Sequence, residues 1–405
     1  MVLLSLVRSI APTMGITMWF RPLAWDYATR NLFRRPLRTM LTLGALTAVI
    51  LLVFIVVGFI RGLEKNLQVS GDSDTVLVFS LGMGENLEYS SIPMRSSDLI
   101  AASIPDIRVR QGKKYVSPEL YLGTEVFTDS MTQPAMGLVR GVMPEVLLVR
   151  NRIQLESGHW PGPGEALIGR MAAVKLGLAK DAITPGDDVQ FEGRTWKVAG
   201  TFSATGGAFE SEVWCRLDEL QQSMKRQDLS LVALRLGSSG DYSDIDLFCK
   251  ERLDLELQAA RETEYYAGLQ RDYGPIRWLA WLVVFLISGA GILAGLNTMY
   301  GAVVGRISEL AMLQTIGFVR RAILLSLIQE GLLLATSASL LATLIALTLF
   351  NGASVRFTMG AFALRIDNVC ILIGCLVGLL MGILGSLPPA FRALRMPVVD
   401  GLKSV

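Results

Sequence analysis

Side chains suited to chemistry are few in this 405-residue chain, and their spacing argues against catalysis. The one histidine, His159, stands in the Gly/Pro-rich turn "SGHWPGPGEALIGR", where a surface or capping role is expected. One histidine and four scattered cysteines are too few for a Cys/His zinc site. Glu210, Glu212 and Asp218 read as solvated carboxylates, not as an acid/base pair. No G-x-S-x-G elbow and no G-x-x-x-x-G-K-S/T phosphate cradle occurs. The expectation is a non-enzyme without catalytic, metal-binding or cofactor-binding residues, and without a cofactor of its own.

The charges that stand out do so by position. Glu330 falls inside a long apolar run, where an ionisable group is costly and marks either function or structure. It reads as a buried partner for an arginine or a helix-end amide, or as a carboxylate snorkelling to the membrane interface. Just upstream, "GRISELAMLQTIGFVRRAIL" spans Gly305 to Leu324. Val303, Val304, Ile307, Leu310 and Ala311 form one helical face, and Gly317 supplies the left-handed residue that ends it. Arg306 and Glu309 are spaced as an i,i+3 pair. An amphipathic helix that lies on lipid favours several basic residues; this one offers Arg306 beside an acid, so a partner's groove is the better fit.

These residues need spans to hold them. Half the chain is apolar (51%) and 18% is charged, with a mean hydropathy of +0.45, which suits membrane spans joined to a water-exposed part. The net charge of +2 gives no support to a nucleic-acid role. Four runs are long enough to cross a bilayer, at about 39–60, 278–299, 323–350 and 369–387. Arg8, Arg21, Arg30, Arg34, Arg35 and Arg38 precede the first; Arg306, Arg320 and Arg321 fall between the second and third; Arg392, Arg395 and Lys403 follow the fourth. The positive-inside rule puts all three segments, and both termini, on the cytoplasmic side. Residues 1–38 form a cytoplasmic amphipathic segment whose opening lacks the basic start of a cleaved signal peptide.

The fold class that results is an integral membrane α-helical protein of four transmembrane helices, with a large extracytoplasmic mixed α/β domain between helices 1 and 2. That domain covers 61–277 in two lobes, with "SGHWPGPGEALIGR" as the punctuation between them. Strands are expected at "TVLVFSL", "DDVQFEGRTWKVAGTF" and "SLVALRL", and helices at "AAVKLGLA" and "YSDIDLFCKERLDLELQAA", the latter with a stripe through Ile245, Phe248 and Leu253. Cys215 and Cys249 fall in this domain either as free thiols or as a disulfide. In the spans, Gly291 with Gly295, and Gly374, Gly378 and Gly382, recur every four residues, serving either packing within one protomer or a homodimer seam.

"LNTMYGAVVGRISELAMLQTIGFVRRAILLSLIQEGLLL" resembles the C-terminal permease signature of the FtsX/MacB/LolC-LolE (type VII) group of ABC transporters. That signature has a basic residue, an acid three later, a glycine and a glutamate in the next span, here Arg306, Glu309, Gly317 and Glu330. "YATRNLFRRPLRTMLTLGAL", "PPAFRALRMPVVDGLKSV" and the stretch from "VRGVMPEVLL" to "VAGTF" agree. The resemblance implies an FtsX-like permease domain over 278–405 with a coupling helix at about 303–317, and a MacB-like core domain outside. It further implies a half-permease of the inner membrane that pairs with a second protomer, identical or paralogous, and binds a separate dimeric ABC ATPase. An extracytoplasmic adaptor or membrane-fusion protein is a further partner. Mechanotransmission would drive export or extraction of a lipid, lipoprotein, peptide or drug-like substrate, the alternative being an FtsX-like transducer that activates a cell-wall hydrolase. Leu310, Leu313 and Ile316 are then expected to fill the ATPase groove, Arg306 and Glu309 to orient the helix, and Arg34, Arg35 and Arg38 to brace the inner surface.

Overall fold

The computed structural model describes residues 32, 34, 36–84, 86–237, 240–357 and 360–395. Arg35, the leader with its other arginines and the tail with Lys403 lie outside the described residues. The chain divides into two compact units: a helical one (up to Val57, Ala280–Phe350 and from Ile366 on) and a head (Gly58–Leu279 with Asn351–Arg365).

The first helix, α1, runs unbroken over Pro36–Ser70, well past the span read from hydropathy, because no glycine pair or proline interrupts it. In the head, β1 (Thr75–Ser80), β2 (Val116–Thr128), β3 (Ala135–Val142), β4 (Gln154–Gly158), β5 (Glu165–Gly169), β6 (Asp188–Phe191), β7 (Arg194–Ser203) and β8 (Glu212–Arg216) precede α2 (Leu217–Met224). Then come β9 (Leu231–Arg235), α3 (Tyr242–Glu251), β10 (Leu257–Arg261) and α4 (Glu262–Asp272). The sheet order is β10-β1-β9-β2-β3-β8-β5-β7-β4, and β6 pairs with both β7 and β2. The strands β2, β3, β8, β5, β7 and β6 thus close a circuit, and the 13-residue β2 joins it to the open β10-β1-β9 part. A closed circuit removes the unpaired edges that invite aggregation.

Several sequence expectations change here. The Gly/Pro-rich turn falls between β4 and β5. The helix expected at Ala172 is a single turn, Ala172–Lys175. The long helix expected from Tyr242 stops at Glu251; Glu256 takes a left-handed φ of 49° and the chain reverses into the edge strand β10, leaving Leu253 exposed. The hairpin of β6 and β7 turns at Glu192-Gly193, both left-handed (φ 50° and 68°), as a two-residue connection requires. Trp196, Trp214 and Phe202 are fully buried in the head core, each contributing on the order of 1.5–3 kcal/mol by removal from water.

The helices beyond the head are α5 (Gly274–Val304), α6 (Ile307–Thr315), α7 (Arg320–Ile345, prolonged by the π-helical turn Ala346–Phe350) and α8 (Asn368–Arg395). With α1 they supply four helices long and apolar enough to cross a membrane. Between α7 and α8, β11 (Ser354–Phe357) and β12 (Gly360–Ala363) form a hairpin that belongs to the head. Ala361 N–H donates to Ser211 Oγ at 2.7 Å and Ser211 Oγ donates back to Ala361 O at 3.0 Å. Phe59 packs on Phe357 and Phe362.

Candidate functional site

In the helical unit the candidate site is the elbow between α5 and α7. The expected single helix of 303–317 is broken: α5 ends at Val304, Gly305 and Arg306 make the corner, and α6 starts at Ile307. Gly317, at φ +102°, ends α6 as its type predicts. Arg306 is buried at the corner. Its Nε donates to Ala302 O (3.1 Å) and its Nη2 to both oxygens of Glu330 (2.9 and 3.1 Å). Of the two readings for Glu330, burial against an arginine is the one observed. The i,i+3 pair of Arg306 with Glu309 does not form, because the corner turns Arg306 inward. Glu309 instead faces Arg34 at 3.7 Å, an exposed pair of small energetic weight. Arg38 donates to Thr298 O, tying the start of α1 to α5.

The face of α6 also differs from expectation. Leu310 is buried with Val303, Ala322, Ile323, Leu327 and Ala390, and Leu313 is half-packed on that cluster. Leu310 therefore holds the elbow and is not offered to a partner. Ile316 is exposed, together with Met312, which the sequence reading did not single out. The glycines of α8 are packed within the chain: a Cβ at Gly374 would meet the Phe54 ring at 2.3 Å, at Gly378 Ser339 Oγ at 2.2 Å, and at Gly382 Ala335 Cβ at 2.6 Å. Gly331, not singled out beforehand, completes the seam: a Cβ there would fall 2.8 Å from Ser386 Cβ. Gly291 admits Met381 and Val49 closely, whereas a Cβ on Gly295 would meet nothing within 4 Å.

In the head the strongest polar feature is a buried ion network. Arg140 donates Nε and Nη2 to Glu212 and Nη1 to Glu119, each at 2.6 Å. Arg150, just after the short helix Val146–Val149, donates Nε and Nη2 to Glu119 and Nη1 to Glu262 at the start of α4. Glu212 also accepts from Trp214 Nε1 (2.7 Å). The guanidinium groups lie over Tyr121 and Phe209. Burial alone would raise the Glu119 carboxyl, but Arg150 and Arg140 outweigh it and hold the group below its ordinary value. At Glu262 burial prevails over Arg150, and the carboxyl stands above its ordinary value.

This network corrects two of the three carboxylates read as solvated. Glu212 is 3% exposed, and Glu210, 2% exposed, accepts the N–H groups of Ala204 and Gly206 and pairs with Arg170. Glu212 faces inward from β8 toward Arg140, far away in sequence, whereas Glu210 is turned inward by the single 3-10 turn Ala208–Ser211. Asp218 is exposed, paired with Arg216. Next to the network, the last turns of α1 pack within the head: Ser70 Oγ accepts from Ala208 N–H (2.7 Å), Asn66 donates to Gly206 O (2.9 Å), Arg152 donates to Val69 O, and Asp72 N–H donates to Glu262 (3.0 Å). His159 is exposed, with Nδ1 3.0 Å from Trp160 O. Cys215 and Cys249 are both free thiols; burial pushes Cys249 up to about 12. Among the described residues no group of His, Cys, Asp or Glu is placed to hold a metal.

A profile of the MacB-like periplasmic core domain matches residues 39–245. Among solved structures, the periplasmic region of MacB from Actinobacillus actinomycetemcomitans is similar at 10% identity and a TM-score of 0.38, covering 51% of this chain and 96% of that one. The extracellular domain of the noncanonic ABC-type transporter YknZ from Gram-positive bacteria is similar at 13% identity and a TM-score of 0.36, covering 46% of this chain and 99% of that one. No curated protein matches the chain.

Proposed function

The chain belongs to the family of the MacB-like periplasmic core domain, a permease of the FtsX/MacB type, and we propose that it is the membrane subunit through which a separate ABC ATPase moves an extracytoplasmic head. The four apolar helices cross the inner membrane, α6 and both termini face the cytoplasm, and the head faces outward. Nucleotide-driven closure of the ATPase pair displaces α6; α1 and α5 carry the displacement outward; the head then exports or extracts an apolar or amphipathic substrate. A second protomer completes the permease. The distribution of arginines before α1 and after α5 supports this orientation.

The observation that carries the reading is the construction of α6. A nine-residue helix is held rigid from beneath by Leu310 and by the Arg306–Glu330 pair, while Met312, Ile316 and Glu309 stay on its outer side. A helix that is locked on one face and apolar on the other suits a groove in a partner that pushes. The test is purification of the full chain from its native membrane, followed by assay of nucleotide hydrolysis in the eluate. We expect an ABC-type ATPase to co-elute with the wild-type chain. Ile316→Asp should reduce its recovery at least tenfold, and Glu309→Lys should leave it bound but uncoupled. Elution without any hydrolysing subunit, or unchanged recovery with Ile316→Asp, would sink the proposal.

A further inference from the structure

The Gly/Pro-rich turn between β4 and β5 has no part in the reading above, yet it forms one wall of a cavity of about 280 Å³ in the head. A water takes only ~10–15 Å³ of such space, and small-molecule sites begin at roughly 300 Å³. The cavity is therefore of ligand size. Its walls come from four stretches far apart in sequence: Met94 before the helix Arg95–Ser103, the end of β3 at Val142, the turn at Trp160 and the start of α2 at Leu217.

Side chains of α2 hold these walls in place. Glu219 accepts the Gly164 N–H of the turn on both oxygens (2.8 and 3.1 Å). Gln221 donates to Asp228 O at 2.9 Å and lies 3.8 Å from Met94 Sδ. A cavity whose walls are bonded together before anything enters it loses little order on binding.

The lining states what fits. Val142 and Leu217, each 2% exposed, form its buried part, while Met94 and Met143 remain 41% and 39% exposed. Thioethers are polarizable and make favourable contacts with aromatic rings, and the indole of Trp160 favours stacked or edge contacts with another ring. Among the described residues that line the cavity, only Arg216 and Asp218 are charged. They compensate each other through two hydrogen bonds (3.1 and 2.7 Å). The bond from Arg216 also holds the Asp218 carboxyl below its ordinary value, so the pair stays ionised. A charged ligand would lose hydration here with no free counter-charge to replace it.

We propose that this cavity binds an uncharged, ring-bearing organic molecule, with the ring against Trp160 and the thioethers of Met94 and Met143. The site lies wholly within the head and needs neither an ATPase nor a second protomer, so it stands or falls apart from the reading above.

The experiment uses the full chain in phosphatidylcholine nanodiscs, labelled with carbon-13 at the methionine methyls; Met94→Leu and Met143→Leu assign the two signals. The probes are indole-3-acetamide, its anionic and cationic counterparts indole-3-acetate and tryptamine, and the open-chain hexanamide. We expect indole-3-acetamide to shift both methyl signals saturably. It should bind about tenfold more tightly than either charged probe and about fivefold more tightly than hexanamide. Met143→Trp, which fills the cavity from an exposed position, should weaken indole-3-acetamide about tenfold, read at Met94. Arg216→Met leaves the Asp218 carboxylate without its partner and should turn the preference toward tryptamine. The site is overturned by the absence of a saturable shift, by indole-3-acetamide binding no more tightly than the other probes, by unchanged binding in Met143→Trp, or by a preference that Arg216→Met does not move.

Discussion

Two buried arginine sites in this molecule differ in completeness. In the head, all three nitrogens of Arg140 and all three of Arg150 donate to carboxylates. At the elbow, Arg306 satisfies two nitrogens, and Nη1 has no partner among the described residues. Desolvating a charge is tolerated only when geometry and hydrogen bonds return the lost hydration. The head meets that condition in full and so specifies one arrangement of β2, β3, β8 and the start of α4. The elbow meets it only in part.

The largest effect should come from breaking the saturated site. Arg140→Met leaves Glu119 and Glu212 short of a counter-charge and should cost about 3–5 kcal/mol, read from urea unfolding of the full chain in detergent by tryptophan fluorescence. A loss below about 1 kcal/mol would mean that the network adds nothing to the head. Next comes packing in the helical unit. Gly378→Val drives a side chain into Ser339 and Ile50 and should cost about 1–3 kcal/mol. Gly295→Ala meets open space and should be neutral or gain up to about 1 kcal/mol. Equal melting temperatures for these two variants would contradict the seam described above.

At the elbow, the paired change Arg306→Met with Glu330→Met should lie within about 1 kcal/mol of wild type in thermal unfolding, while Arg306→Met alone should cost more. If the single change is the milder one, the pair is not what holds the corner. The smallest effect is in the pH response of the head. Glu262 is raised above 4.5, so the folded state binds its proton more tightly and stability grows as pH falls toward 4.5. Glu119 is lowered below 4.5, so its contribution is present above that value and is lost as pH drops through the folded pKa. A shallow maximum on the acid side of neutrality is expected in the urea midpoint, and Glu262→Gln should flatten the rise toward it.

What the sequence discloses follows from range. The four apolar helices and the stop at Gly317 depend on neighbouring residues, and periodicity suffices for them. The pairing of Arg306 with Glu330 spans 24 positions and requires α7 to pack against the corner that follows α5, so Glu330 alone carries two readings. Glu212 was misread for the same reason: its partner Arg140 lies 72 positions away on a neighbouring parallel strand. Leu310, expected in a partner's groove, is covered by its own chain, because an apolar residue on a short helix does not reveal which side its own chain covers. The family resemblance identified the class but could not assign these orientations.

The hairpin between α7 and α8 sets an order of assembly. Ser211 and Ala361 are 150 positions apart, yet each is the other's hydrogen-bond partner. The domain made first by the ribosome thus waits for a patch made much later, after two further hydrophobic helices. A truncation that stops before residue 351 would therefore produce a head with a raw, sticky flank, and quality-control proteases would have a way to recognise an unfinished chain.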